Sequence, residues 1–385
     1  MKKLAPFSIL FSLLLIGSCK EVGKVSPVAE SQKGKHQITY AKGFSIEQLG
    51  NYITVITLHS PWPNAQRPLR YALVAREKMD ALTLEITDFD AIVPVPVQTY
   101  VATSTTHIPA LESLGVLKGM VGFPGTDYVS SKNARSLIAS GQISNIGQNE
   151  ALNTEMTIAL QPNVVFGFGI NASNSAYNTL ATAGIPIVFN GDWTEESPLG
   201  KAEWIKFFAP FFNKETLANE IFDTIEMEYQ KAKVLAESAS TRPTVLSGAL
   251  YKDVWYLPGG QSWAAQFLED AQADYVFSGN TQHGSLALSW EKVLEKGQQA
   301  TFWMGPAQFT SYQEMKKASP HYAQFKAFQN KKVFTFAKTN GETGGLLYYE
   351  LAPNRPDIVL KDLIHILHPH VLPQYEPVFF KPLSP

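Results

Sequence analysis

The sequence predicts an α/β fold of two lobes, each built on a central, mostly parallel sheet, joined by one long backbone helix. Three observations predict it. From about residue 95, short apolar or β-branched runs alternate with helical runs, the pattern of parallel βαβ units. A stretch without glycine or proline, 214–239, interrupts that alternation, which restarts at 244. Finally, one unit recurs 136 residues later (289 − 153). The first copy is Asn153-Thr154-Glu155-Met156 running to Val165-Phe166-Gly167-Phe168. The second is Ser289-Trp290-Glu291-Lys292 running to Thr301-Phe302-Trp303-Met304. Each copy opens on a helix N-cap residue type and places a glutamate two positions later. Each then reaches a hydrophobic strand. At 385 residues the chain exceeds what one core usually supports, which agrees with two lobes.

The first residues are not part of that fold. Lys2 and Lys3 precede a short apolar core, 6–16, and Leu15-Ile16-Gly17-Ser18-Cys19 follows. This reads as an export signal, and its end resembles the lipobox of bacterial lipoproteins, in which the cysteine is lipidated. Cys19 is the only cysteine in the chain, so no internal disulfide can form. Residues 1–19 are thus expected to be a lipoprotein signal and 20–35 a polar tether. No later stretch is apolar and long enough to span a bilayer, so the lipid anchor is the expected membrane contact. The net charge of −2 gives no global basic field to attract nucleic acid.

The elements follow in order. Residues 36–93 form a β-rich extension, with runs 52–57 and 69–74 on either side of Ser60-Pro61-Trp62-Pro63-Asn64, a hairpin reading. The N-terminal lobe, 94–212, has expected strands 95–102, 119–123, 164–168 and 185–189. Its helices are 105–115, 130–140, 154–161 and 174–183, and it closes on an aromatic helical segment with Trp204, Phe207, Phe208, Phe211 and Phe212. The backbone helix falls within 213–240; about 25 residues at 1.5 Å each make a rod of about 37 Å. The C-terminal lobe and its proline-rich tail, 241–385, begin with strand 244–250 and helices 261–269 and 289–296. Strand 300–304, two short helices in 310–329, strand 332–336 and a closing helix, 357–368, complete it.

Glu155 and Glu291 fall in the first turns of their helices, where the helix dipole favours a carboxylate. Helix stabilisation alone explains one such residue. Its recurrence in the same frame points to a matched pair of charges, one on each lobe. The segment from Asn153 through Ala159-Leu160-Gln161-Pro162-Asn163-Val164-Val165 resembles substrate-binding proteins of ABC importers for iron–siderophore complexes, haem and cobalamin. Ser289-Trp290-Glu291-Lys292-Val293-Leu294 resembles the matching motif of the second lobe. Pro198-Leu199-Gly200 with Glu203-Trp204-Ile205-Lys206-Phe207, and Arg355-Pro356-Asp357 with Leu360-Lys361-Asp362-Leu363 and His368-Pro369, look like the iron-complex branch. The resemblance covers about 94–373. It implies a class III periplasmic-binding-protein architecture with little hinge motion. It also implies that Glu155 and Glu291 dock on arginines of a permease dimer served by ATPase subunits. The protein would be a monomer without catalytic activity, held in the periplasm or cell envelope. The ligand would be an Fe(III)–siderophore complex, with haem or cobalamin as alternatives. Cobalamin-type members commonly carry a tryptophan six residues before each glutamate. Asn149 and Ser285 hold those places here, a departure from that pattern.

The cleft is expected where strand ends of the two lobes face each other. Glycines there let backbone approach a ligand and aromatic rings give flat contact. His107, Phe123, Tyr128, Phe168, Trp193, Trp255, Tyr256, Gln261, Trp303 and Asn340 lie in or beside such loops, although each aromatic fits a lobe core as well. Phe168 and Tyr256 fall where the resembling family often places aromatic ligand contacts. The 8 histidines are scattered, so a bare metal site is not expected. Haem needs only one tyrosine or histidine ligand, which Tyr128, Tyr256 or His107 could supply. A different class is also represented. Gly260-Gln261-Ser262-Trp263-Ala264 approaches the nucleophile elbow of serine hydrolases, with alanine in the last place.

Overall fold

The computed structural model describes residues 37–81, 88–149, 151–171 and 174–385; Cys19, the signal and the tether lie outside the described residues. Strands β1 (Phe44–Leu49), β2 (Ile53–Leu58), β3 (Leu69–Ala75) and β4 (Ala91–Val95) form one sheet in that order, antiparallel except between β3 and β4. The single strand expected over 95–102 is divided. Pro96 has no N–H to give a ladder, and the chain leaves this sheet after Val95 to resume in another at β5 (Tyr100–Ala102).

In the N-terminal lobe β5 leads to α1 (His107–Ser113), β6 (Met120–Phe123), α2 (Lys132–Ala139) and β7 (Ser144–Asn145). A two-residue pair, β8 (Gly147–Gln148) and β9 (Ala151–Leu152), precedes α3 (Thr154–Ala159), β10 (Val164–Phe168), α4 (Ser175–Thr182) and β11 (Ile187–Asn190). The sheet runs β11-β10-β5-β6-β7 and is parallel throughout. Short helices α5 (Pro198–Glu203) and α6 (Ile205–Phe208) carry the aromatic run into the core. The N-terminal extension shares that core. Phe44, Ile56, Tyr71 and Val93 pack in the same cluster as Phe166 and Phe207, and the Phe44 ring lies 4.7 Å from that of Trp204. Two buried carboxylates hold the incoming chain: Glu203 accepts from the N–H groups of Thr39, Tyr40 and Ala41, and Glu195 from those of Lys42 and Gly43. Tyr71 Oη accepts a 3.0 Å bond from the N–H of Phe189, on the open side of the edge strand β11.

Helix α7 (Glu215–Ala236) is 22 residues long, about 33 Å at 1.5 Å per residue. Its buried stripe, Ala218, Phe222, Ile225, Tyr229, Ala232 and Ala236, recurs every three or four residues, the period of one helix face. The stripe changes owner halfway along. Ala218, Phe222 and Ile225 belong to the N-terminal core, whereas Tyr229, Ala232 and Ala236 belong to the C-terminal core. One helix is thereby built into both lobes.

The C-terminal lobe continues with β12 (Thr244–Ser247), β13 (Ala249–Tyr251), β14 (Val254–Pro258), α8 (Trp263–Asp270), β15 (Asp274–Tyr275), β16 (Ser285–Leu288) and α9 (Trp290–Gly297). It ends with β17 (Phe302–Met304), α10 (Tyr312–Ala318), α11 (Lys326–Gln329), β18 (Val333–Thr335), α12 (Leu347–Leu351), α13 (Pro356–Leu367) and β19 (Lys381–Pro382). Its main sheet, β15-β12-β17-β18-β19, is parallel except for β19, and β13-β14-β16 form a small antiparallel sheet beside it. In reverse order, four of its five strands match the first lobe: β18, β17, β12 and β15 stand where β11, β10, β5 and β6 stand, while β19 and β7 have no counterpart. The recurring units α3–β10 and α9–β17 occupy equivalent places in the two lobes. Among the described residues no helix is long and apolar enough to cross a membrane.

Candidate ligand-binding cleft

In each lobe the chain winds out from its first strand, β5 or β12, and later returns to that strand's other side with β10 or β17. Such a reversal leaves a crevice beyond the C-terminal strand ends. One flank of the gap between the lobes is closed by direct contact. Glu350, only 2% exposed, accepts from Ser130 N (2.6 Å) and Ser131 N (2.8 Å) of the opposite lobe. Ser130 Oγ donates to the Gly345 carbonyl, Thr343 Oγ1 to that of Asp127, and Asn354 Nδ2 to that of Thr106. This approach requires Gly345: a Cβ there would lie 2.1 Å from the Tyr128 carbonyl oxygen. Burial raises the Glu350 carboxyl to about 7, with Glu112 adding to the rise and the two N–H groups opposing it. On the other flank His283 Nδ1 lies 3.2 Å from Glu196.

Between these flanks Lys201 Nζ donates to the carbonyls of Asp192 and Trp193 and lies 5.1 Å over the ring of Trp263, from the other lobe. Burial pulls the Lys201 ammonium below its usual range. Among the described residues, the buried polar atoms lacking a hydrogen-bond partner are His107 Nδ1 and Nε2, Asn190 Nδ2, Asp192 Oδ1 and Trp193 Nε1. Those of His107 follow β5, and the other three end or follow β11. Native interiors pair nearly all such atoms; those of His107 lie in the core, whereas the three at the end of β11 sit beside the gap between the lobes. The Trp193 and Phe168 rings lie 6.0 Å apart. From the extension, Trp62 packs edge-on against Phe189 at 5.4 Å and reaches the loop at Gly169.

The expected site residues divide into three groups. Tyr128 and Tyr256 are 65% and 46% exposed, Gln261 and Asn340 are exposed, and Phe168 and Trp193 are half-buried at strand ends. Phe123, Trp255 and Trp303 are core residues, which corrects their expected place in the cleft. Trp255 and Trp303 stack at 5.2 Å, and their indole N–H groups donate to the carbonyls of Ser247 and Gly248. Likewise His107 is enclosed against Phe208, and burial lowers its pKa to about 4, so it presents no imidazole to a ligand. Ser262 Oγ donates to the Gly259 carbonyl and accepts from Ala265 N as the cap of α8, and Ser262 is buried. A hydroxyl so engaged is a structural cap, and the hydrolase reading has no support. Among the described residues no group of three or more His, Cys, Asp or Glu could hold a metal ion.

Glu155 and Glu291 are exposed in the first turns of α3 and α9. Their caps differ. Asn153 Oδ1 accepts from Met156 N at 2.9 Å, while Ser289 makes no such backbone bond. Instead the Glu291 carboxylate is held below its usual range by its own backbone N–H and by the Ser289 hydroxyl.

The family model described as periplasmic binding protein matches residues 101–339. The chain belongs to the periplasmic binding protein family. Its two lobes on one helix are the class III form of that fold. An uncharacterized lipoprotein of Methanocaldococcus jannaschii is 27% identical over 300 residues, 75% of this chain and 69% of that protein. A periplasmic heme-binding protein of Pseudomonas aeruginosa shares 16% identity and a TM-score of 0.56, over 75% of this chain and 99% of its own. The triscatecholate siderophore-binding protein of Bacillus subtilis, solved with ferri-bacillibactin, shares 14% identity and a TM-score of 0.54, over 73% and 95%. The family match begins after β4, so the sheet carrying Trp62 is an addition to the matched region.

Sequence reasoning missed Glu350, Lys201 and Trp62. The glycines at 341, 344 and 345 were a visible sign of close approach before Glu350. Trp62 was visible only as part of a proline-flanked turn.

Proposed function

We propose that this binding protein is the extracytoplasmic solute-binding lipoprotein of an ABC importer. It takes an iron–siderophore or related metal–organic complex between its lobes and delivers it to a permease dimer with its ATPase subunits. The observation that carries this reading is the matched pair of exposed glutamates, one on each lobe, on equivalent elements of two lobes sharing one rigid helix. The unpaired polar atoms and half-buried aromatics at the strand ends support a cleft there, with Tyr128, Phe168, Trp193, Tyr256, Gln261 and Asn340 as its contacts. The curated relative named a lipoprotein supports anchoring through Cys19 at the cell envelope. Haem and cobalamin remain in the ligand class, with Tyr128 and Tyr256 as the accessible haem ligands.

Glu155 and Glu291 dock the loaded protein by facing permease arginines. The test is the double variant Glu155→Ala with Glu291→Ala in a reconstituted importer. Ligand affinity should be unchanged and transport should fall to background. Normal transport by the double variant would overturn the docking role.

A further inference from the structure

The charge of the loops at the strand ends narrows the cargo, and this step rests on the proposed cleft. Those loops are 103–106, 124–131, 169–171 and 191–197 of one lobe, and 252–253, 259–262, 276–284, 305–311 and 336–346 of the other. They contain six acidic residues, Asp127, Asp192, Glu195, Glu196, Asp253 and Glu342, against two lysines, Lys252 and Lys338, and no arginine. Both lysines are engaged: Lys338 Nζ donates to the Pro382 carbonyl and Ser384 Oγ, and Lys252 Nζ lies 5.6 Å over the Tyr251 ring. Flanking cations are engaged as well. Lys201 is bound to two carbonyls and the Trp263 ring, and Arg135 Nη1 donates to the Thr126 carbonyl at 2.6 Å. His283 faces Glu196. Glu195 is occupied by backbone N–H groups and Trp204 Nε1, and both it and Asp192 lie in the field of the Lys201 ammonium, although Asp192 Oδ1 lacks a hydrogen bond; Asp127 and Glu342 are exposed.

A polyanion entering such a rim meets like charges and finds no guanidinium for its oxygens, and like-charge juxtaposition excludes a ligand strongly. Aromatic faces and neutral amides (Phe168, Trp193, Tyr128, Tyr256, Gln261) suit an uncharged chelate shell. We infer that the carried complex is electrically neutral or cationic, and that the acidic rim rejects polyanionic chelates. The chemistry fits a ferric trihydroxamate, in which three monoanionic groups balance the metal. It does not fit a ferric triscatecholate, which carries three negative charges.

Equilibrium dialysis against four probes tests this: a neutral ferric trihydroxamate, cobalamin, haem with its two propionates, and a trianionic ferric triscatecholate. The tightest binder should be one of the first two, by at least tenfold. Asp127→Asn with Glu342→Gln should tighten triscatecholate binding several-fold and leave the best neutral probe within twofold. Tightest binding of haem or the triscatecholate, or indifference of the double variant to probe charge, overturns the inference while leaving the proposed function standing. No binding of any probe would instead sink the metal–organic cargo itself, and this inference with it.

Discussion

Glu350 and His107 are expected to oppose each other in the pH dependence of stability, and a single substitution should expose this. Burial raises the folded Glu350 carboxyl to about 7 from an ordinary value of 4.5. Its contribution is therefore full below pH 4.5 and lost as pH rises through 7. Proton linkage at about 1.36 kcal/mol per pH unit makes that span about 3 kcal/mol. His107 runs the other way. Burial lowers it to about 4 from 6.5, so its contribution is present above pH 6.5 and lost as pH falls through 4, again about 3 kcal/mol. Between pH 4.5 and 6.5 the two slopes cancel in the native protein. Glu350→Gln keeps an acceptor for one of the two serine N–H groups and sets its NH2 against the other, a pH-independent cost, while it removes the titration. Urea unfolding of both proteins at pH 5, 6, 7 and 8 reads the effect. The stability of the native protein minus that of the variant should drop by about 2 kcal/mol from pH 5 to 7 and by less than about 0.5 kcal/mol more from 7 to 8. A difference that is flat, or that rises with pH, would refute the assignment of a buried, proton-holding carboxyl to the lobe junction.

Further expectations use other contacts. Ser262→Ala should cost about 1 kcal/mol of stability through loss of the α8 cap and leave ligand binding intact; lost binding with unchanged stability would contradict the capping role. Gly345→Ala should cost about 1–3 kcal/mol through the clash with Tyr128, and hydrogen exchange should speed up at the Ser130 and Ser131 amides. Trp303→Ala should destabilise the protein by about 3–5 kcal/mol as a core deletion. Tyr256→Ala should leave stability nearly unchanged and weaken ligand binding, as calorimetric titration would show.

Much of the fold was legible because it rests on local periodicity. The strand–helix alternation, the uninterrupted run that became α7 and the recurring α3–β10 and α9–β17 units all leave signatures in adjacent residues. The cleft was less legible because exposure depends on which face of a strand a residue takes. Trp255 and Tyr256 are neighbours in β14, so they point to opposite sides; one is buried and the other open. That alternation was available in the sequence and excluded one of the pair, though not which. Glu350 was invisible for a different reason. Its partners are backbone N–H groups about 220 positions away, and a backbone donor has no residue identity to read. The apolar pattern runs 95–102 together, whereas the chain breaks at Pro96 between two sheets.

The bond from Phe189 N to Tyr71 has a consequence for any attempt to trim the protein to its family-matched region. Strand β11 ends its sheet, and the extension is what stands against its open side. Cut away, the extension would leave a bare ladder of peptide groups, with Phe189 newly wetted, as a template for other chains. A shortened form should therefore self-associate in solution even if each lobe keeps its shape, and the added sheet serves as a guard against unwanted strand pairing.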